Sequence, residues 1–543
     1  KGFWKVLLLT DGTSVYAELL GDEGFHFWRD ADGNKYVAAT DSTYRAFSDT
    51  EASTCAKAAV TRNAALRESQ FTRLTAAKVK SSYIGSRKGI IILVNFADSA
   101  FKKEHDNALY QKIANKENYT SSDGFLGSVS DYFKAQSGGL FNLTFDIAGP
   151  YTLQHNYSYY GKNDANGNDM HPEEMIVEAC NAAYASGFDF SQYDWNGDGE
   201  CEQVFVLYAG LGEANGGVDS TIWPHEYKLQ YALGYSLKLG NTYVDTYACG
   251  CELQPKCYII ENNKWKVKET KIDGIGTICH EFSHCLGFMD MYDVVNGTNY
   301  GMGRWDLMDV GSYNGPGYNG MQPAGYTSYE RWVAGWLEPT VITNGDVVTN
   351  MAALSAGGSS YIIYNDNNSN EYYLLENRQK VAWDSSLSGQ GLLIIHVDYD
   401  ESLWMNNCPN SVFGTSSLYY RYYGLMNTHQ RCTPIPADET QSLYSEVSDV
   451  YPYGVLDSLT NNSMPAATVY NVNTDGSNYM NKPIRNIKQD SDGIISFVVG
   501  YPEMTAIGSI SSQSEDSANA RIYSMSGQYL GKDLSVLPHG IYV

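Results

Sequence analysis

Between Cys279 and Asp293 the chain reads CHEFSHCLGFMDMYD. Two of its ten histidines stand four apart, with a glutamate beside the first and a glycine three residues after the second. No other stretch restricts the local fold as tightly. On a helix, positions i and i+4 share one face, a turn apart. His280 and His284 can then aim imidazole nitrogens at a single ion, about 2.0–2.1 Å away if it is zinc. Glu281 projects from the same turn, slightly rotated. It can reach an ion-bound water without ligating the ion, and such a water becomes a nucleophile near neutral pH. Gly287 can take a positive φ and end the helix.

A catalytic zinc needs a third protein ligand and one open position. A glutamate on a following helix is excluded, because the next glutamate after Glu281 is Glu330. The glycine offers another route. The chain turns back, and Asp290, three residues on, can reach the metal. HExxHxxGxxD thus supplies His280, His284 and Asp290 without a second helix. The duller alternative is two hydrogen-bonded histidines on a helix face.

The surrounding 543 residues exceed one hydrophobic core and predict three or four units. Asp and Glu number 62 against 37 Lys and Arg, a net charge of −25. That excludes a general nucleic-acid or anionic-membrane binder and suits a secreted protein with carboxylates for metal ions. No apolar run approaches the ~18 residues of a transmembrane helix. The opening KGFWKVLLLTDG reads as a strand entering a turn, not as a signal peptide. Ten cysteines at irregular spacing are compatible with disulfides, Cys408 with Cys432 being the plausible pair. Cys249, Cys251 and Cys257 lack a standard zinc spacing and read as structural or disulfide-bonded.

Residues 1 to about 48 carry short strand patterns separated by DG, GDEG and ADGN turns, a meander. The stretch 50–80 is Ala- and Arg-rich and predicts helix. The basic run Lys78 to Lys88 reads as a linker and a protease-sensitive site. GIIILVNFAD and CEQVFVLYAG predict buried strands, and VSDYFKAQSGG and EEMIVEACNAAYASG predict helices stopped by glycine. The fold class is therefore α+β, with the HEFSH helix packed on a sheet. Beyond about 341, SYIIYNDN, EYYLLENR, GLLIIHVDYD and GIISFVVG predict strands of a β-sandwich. The expected domains are 1–85, 86–340, 341–502 and a β-rich tail, 503–543.

HEFSHCLGFMDMYD followed by GRWDLMDVGSYNG resembles the immune-inhibitor-A-type metallopeptidases, family M6, within the metzincin-like group. GIIILVNFAD, IWPHEY, EYYLLENRQK and GQGLLIIHVDYDESLW also look like family segments, so the resemblance spans roughly 86 to 500. It implies a metzincin-like catalytic domain, zinc on His280, His284 and Asp290, and Glu281 as general base. It also implies Met308 as the methionine of a turn beneath the zinc, with Tyr313 after it as a candidate oxyanion donor. Asp293 is expected in the shell behind the zinc or on calcium. Residues 1–85 stand where such families carry a propeptide; Cys55, Asp30 and Asp32 are candidates to block the open zinc position. IYSMSGQYLG and LPHGIYV look like parts of the sorting domains of type IX-exported bacterial proteins.

Asp194, Asn196, Asp198 and Glu200 alternate as in the first half of a calcium loop, but Phe205 stands where a bidentate glutamate would close it. The alternative is a polar turn. His225 reads as structural or as part of a substrate cleft, and His396 as structural. Taken together, these features predict a zinc endopeptidase, secreted or on the bacterial surface, monomeric and acting on protein or peptide substrates. Its cleft should lie along the sheet edge, where a peptide adds as a strand. The competing readings are a non-catalytic zinc-binding adhesin, which needs a fourth protein ligand, and a zinc hydrolase specialised for glycoproteins.

Overall fold

The computed structural model describes residues 4–500 except 23–24, 41–42, 53, 56–82, 165–166, 262–263, 418 and 421–423, together with strands Ile522–Tyr523 and Tyr529–Gly531. By contacts, Lys1–Gly500 forms one unit and Tyr501–Val543 another. In the second unit the two described strands pair antiparallel. Most of the predicted 50–80 helix lies outside the described residues.

The central sheet explains the apolar runs. Strand Gly85–Asn95 lies between Phe141–Thr152 and Val204–Leu211, parallel to both. Alternate side chains of a strand leave on opposite faces. Ile91, Leu93, Phe205 and Leu207 enter a core with helix Val129–Gln136, while Ile90, Ile92, Val204 and Val206 enter a second core with helix Pro172–Ala185. Helices cover both faces, so no polar alternation survives. A Ser128/Asp131 capping box starts the first of these helices.

Sequence patterning missed the long hairpin Thr246–Glu261/Lys264–Ile272, which extends this sheet beyond Val204–Leu211. It interleaves Cys, Gln, Lys and Glu with the strand formers, and only pairing reveals it. None of the ten cysteines is in a disulfide. The expected Cys408–Cys432 disulfide is therefore absent. Both thiols are buried and serve as small apolar side chains.

The predicted N-terminal meander is a five-stranded antiparallel sheet in simple order, Trp4–Leu8 to Thr43–Ala46. It lies on the region that carries the HEFSH helix: Leu20 packs against Gly297, Tyr44 O–H donates to Asp219, and His26 stacks on Trp223 at 4.1 Å. The basic run is only partly a linker. Gly85–Lys88 is already strand, paired with Phe141–Thr144, and Tyr83 is buried with its carbonyl accepting from Trp336 Nε1. Cleavage after Arg87 or Lys88 would cut a sheet strand. Of the basic run this leaves Lys78 and Lys80 as cut sites, and both lie outside the described residues.

All four strands predicted beyond 341 are present, in a five-stranded and a three-stranded sheet. One face of strand Gly391–Asp398, through Leu392 and Ile394, shares a core with Phe497 and Val499. Its other face, through Leu393, Ile395 and Val397, joins the core that holds Phe282 and Met308. This region is thus welded to the one that carries the HEFSH helix.

Candidate metal centre

Helix Gly276–Cys285 carries the HEFSH residues. Its start presses on the loop 312–320: a Cβ at Gly276 would stand 1.8 Å from the Ser312 carbonyl oxygen, and Gly276 N–H donates to Gly320. Its end is Gly287, with φ +85. Any other side chain is strained there. The turn brings Asp290 back to the helix, as the spacing predicted.

Asp290 Oδ1 lies 3.2 Å from His280 Nε2 and 3.5 Å from His284 Nε2. The far side of each ring is fixed. His280 Nδ1 donates to the Leu307 carbonyl at 2.9 Å, and His284 Nδ1 to the Phe288 carbonyl at 2.8 Å. A carbonyl only accepts, so each Nδ1 carries the hydrogen and each neutral ring turns its Nε2 lone pair inward. Asp290 Oδ1 is buried and makes no well-formed hydrogen bond. Two nitrogen lone pairs and a carboxylate oxygen converging in a buried spot repel one another unless a cation or a proton lies between them. The donor set, two imidazoles and a carboxylate, suits zinc. Without a metal, the proton takes that place. Burial lowers the His280 pKa, but the hydrogen bond to Asp290 and the Glu281 charge more than reverse this. Burial raises the Asp290 pKa, and the charges of His284 and His280 pull it below the ordinary carboxylate value.

Glu281 shares this cluster: ligand atoms of His280, Glu281 and His284 lie within 4.8 Å of one another. Burial pushes its carboxyl up to about 8, against the opposing effect of His280. A small cavity of about 70 Å³ opens on this face, lined by the three helix residues, Tyr292, Ser312 and Tyr313. Burial, then the charges of Asp273 and Glu281, raises the Tyr313 pKa, so its hydroxyl stays a donor. Met308 is fully buried, one residue beyond the carbonyl that holds His280. Asp309 Oδ2 pins this turn by accepting from Met302 and Gly303 N–H.

Asn407 carries no signal in the sequence. Its Nδ2 donates to Asp290 Oδ2 at 2.6 Å and its Oδ1 accepts from Asp290 N–H at 2.7 Å. A residue 117 positions away thus aims the third ligand. Such outer partners typically set metal affinity. Asn407→Ala should weaken zinc binding by about 10–100-fold, read by competition with a chelating dye. Unchanged affinity would show that the Gly287 turn alone orients Asp290.

Other expected site residues hold hydrogen bonds of their own. Asp293 accepts from Val295, Asn296, Thr298 and Asn299 N–H and from the Thr298 and Asn299 side chains, organising its own loop. Asp194 accepts from Gly197, Asp198 and Gly199 N–H, Asn196 from Asp198 N–H, and Asp198 from Glu200 N–H. The half calcium loop is thus folded as a polar turn on its own hydrogen bonds. His225 and His396 are bonded to the Trp223 carbonyl and to Glu371. The expected blocking residues are engaged within the N-terminal sheet. Asp30 accepts from the Asn34 and Tyr36 side chains and from Asp32 N–H, in the same turn as Asp32, and Cys55 packs in a core with Phe27 and Phe47.

The family model for the immune inhibitor A peptidase M6 catalytic domain matches residues 87–337. The pre-pro-metalloprotease PrtV of Vibrio cholerae serotype O1 is 27% identical over 294 residues, covering 47% of this chain and 30% of that protein. Immune inhibitor A of Bacillus thuringiensis subsp. alesti is 27% identical over 279 residues, covering 42% of this chain and 36% of that protein. The chain spans about a third of the length of these curated relatives.

Proposed function

Since its residues 87–337 place this chain in the immune inhibitor A-type M6 metallopeptidase family, we propose that it is a zinc-dependent endopeptidase of extracellular proteins. The observation that carries this is the convergence of His280 Nε2, His284 Nε2 and Asp290 Oδ1 beside the buried Glu281. We read 86–340 as a metzincin-like catalytic domain, 341–502 as a β-sandwich bracing it, 1–85 as a propeptide-like domain and 503–543 as a tail.

His280, His284 and Asp290 would hold zinc, which supplies Lewis-acid polarisation of the peptide carbonyl and acidifies water. Glu281 accepts a proton from the attacking water at a carboxylate oxygen and returns it to the leaving amide nitrogen. Tyr313 donates its hydroxyl to the carbonyl oxygen as negative charge develops there. The pre-pro form named for one relative motivates an exported enzyme, whose activity should appear in the medium or on intact cells.

The test is cleavage of casein by the full chain, after removal of metal with a chelator and after zinc is added back. Cleavage should vanish and return. Equal cleavage in the metal-free sample would overturn the assignment. The N-terminal sheet bears on the segment 213–223, which contributes Ala214, Asn215 and Trp223 to the cavity wall. Limited trypsin cleavage ahead of Tyr83 should therefore raise activity by about tenfold or more, which corresponds to about 1.4 kcal/mol of relieved obstruction. Equal rates before and after the cut would remove the latency role.

A further inference from the structure

Beside the metal cavity lies a larger one, of about 410 Å³. The two share the wall Ala214, Asn215, Trp223, Val310 and Tyr313. A side chain next to a peptide bond held at Glu281 therefore has somewhere to go, and the lining indicates which kind. In a chain of net charge −25 this cavity is lined by three cations, Lys256, Lys271 and Arg304. Lys256 is exposed and paired with Glu269. The other two are half-buried and underused. Lys271 Nζ makes no hydrogen bond or ion pair among the described residues. Arg304 stacks at 3.7 Å on Tyr318, and its Nε lies 3.5 Å from Glu446, while its two terminal nitrogens have no partner among the described residues. Unpaired donors on a planar, pre-oriented guanidinium suit a carboxylate.

One anion also lines the cavity. Asp273 is nevertheless engaged: Oδ2 accepts from Asn215 Nδ2, and Oδ1 from Gln254 Nε2 and Gly274 N–H. The bond from Asn215 orients that amide, because its NH₂ must face the carboxylate. Asn215 Oδ1 is then left buried without a hydrogen bond, in the wall common to both cavities. It is an acceptor awaiting an N–H, the group a peptide main chain brings.

We propose that this second cavity is the specificity pocket, that Lys271 and Arg304 select an acidic side chain next to the scissile bond, and that Asn215 accepts a main-chain N–H of the same substrate. The inference rests on the protease reading above. Leu19 of the N-terminal sheet also lines this cavity, so a strand of that sheet narrows it in the uncut chain.

The test uses the full chain after limited trypsin treatment and quenched peptides that carry Glu or Gln at each position flanking the cleaved bond. Glu should exceed Gln at one position by about tenfold in kcat/KM at low salt, narrowing at about 1 M salt as screening shortens the reach of the charges. Lys271→Gln should cut the Glu/Gln ratio by about threefold, and Lys271→Glu should reverse it. Arg304→Gln should act in the same direction, giving a second readout if one variant folds poorly. Equal Glu and Gln rates with casein still cleaved, or a ratio unmoved in Lys271→Glu, would overturn the pocket assignment alone. Failure to cleave casein as well would overturn the protease reading beneath it.

Discussion

Replacing Glu281 by glutamine is expected to lower kcat/KM on a protein substrate by about 10²–10⁴-fold, the usual worth of a positioned general base, while zinc stays bound. Glutamine keeps the shape and loses the proton acceptor. Retained metal is expected because His280, His284 and Asp290 are untouched. The same variant gives a pH signature. Burial, with the charges of Asp290 and Glu226 and against the effect of His280, raises the Glu281 carboxyl to about 8, and a bound cation would draw it back down. A base acts only when deprotonated, so the wild-type rate should fall as pH drops through the pKa of Glu281 in the zinc-bound enzyme, below about 8, and the residual rate of the variant should lose this limb. Activity within about tenfold of wild type, with zinc bound, would show that Glu281 is not the base.

Arg378→Met should cost about 3–5 kcal/mol of stability, the usual effect of stripping the partner from a buried ion pair. Arg378 is fully buried. Its Nε and Nη2 donate to the two oxygens of Asp384, and Nη1 donates to Glu376. Those carboxylates in turn accept from the backbone of Gly325 and Ser328, at the start of helix Ser328–Val333. One guanidinium therefore ties a strand of the later β-region to the end of the catalytic region. Methionine fills the space and leaves two carboxylates buried without their cation. The thermal midpoint should drop by on the order of 10 °C. A control, Lys35→Met, breaks an exposed pair with Asp49 and should shift it little. Equal shifts in both would mean that Arg378 is not the clasp.

Much of the architecture was legible from period and punctuation. The continuous apolar runs at 89–98 and 201–210 became strands buried on both faces, and Gly187 and Gly287 end their helices with positive φ. The hairpin Thr246–Glu261/Lys264–Ile272 was not legible, because its polar interruptions are satisfied by pairing and not by local pattern. The half calcium loop stays ambiguous for a related reason: Asp, Asn and Gly in alternation serve a tight turn as readily as an ion.

The sequence by itself determined what lies within a turn or two of helix. His280, Glu281 and His284 share a face because about 3.6 residues complete a turn, and Gly287 returns Asp290 because only glycine accepts that φ without strain. Tertiary structure decided the rest. The Leu307 and Phe288 carbonyls fix the imidazole tautomers, Asn407 aims Asp290, and Asn215, Lys271 and Arg304 meet beside the metal cavity from three separate segments. A hydrogen bond across 117 residues leaves no periodicity in the chain, since it depends on how the strands and loops pack and not on local spacing.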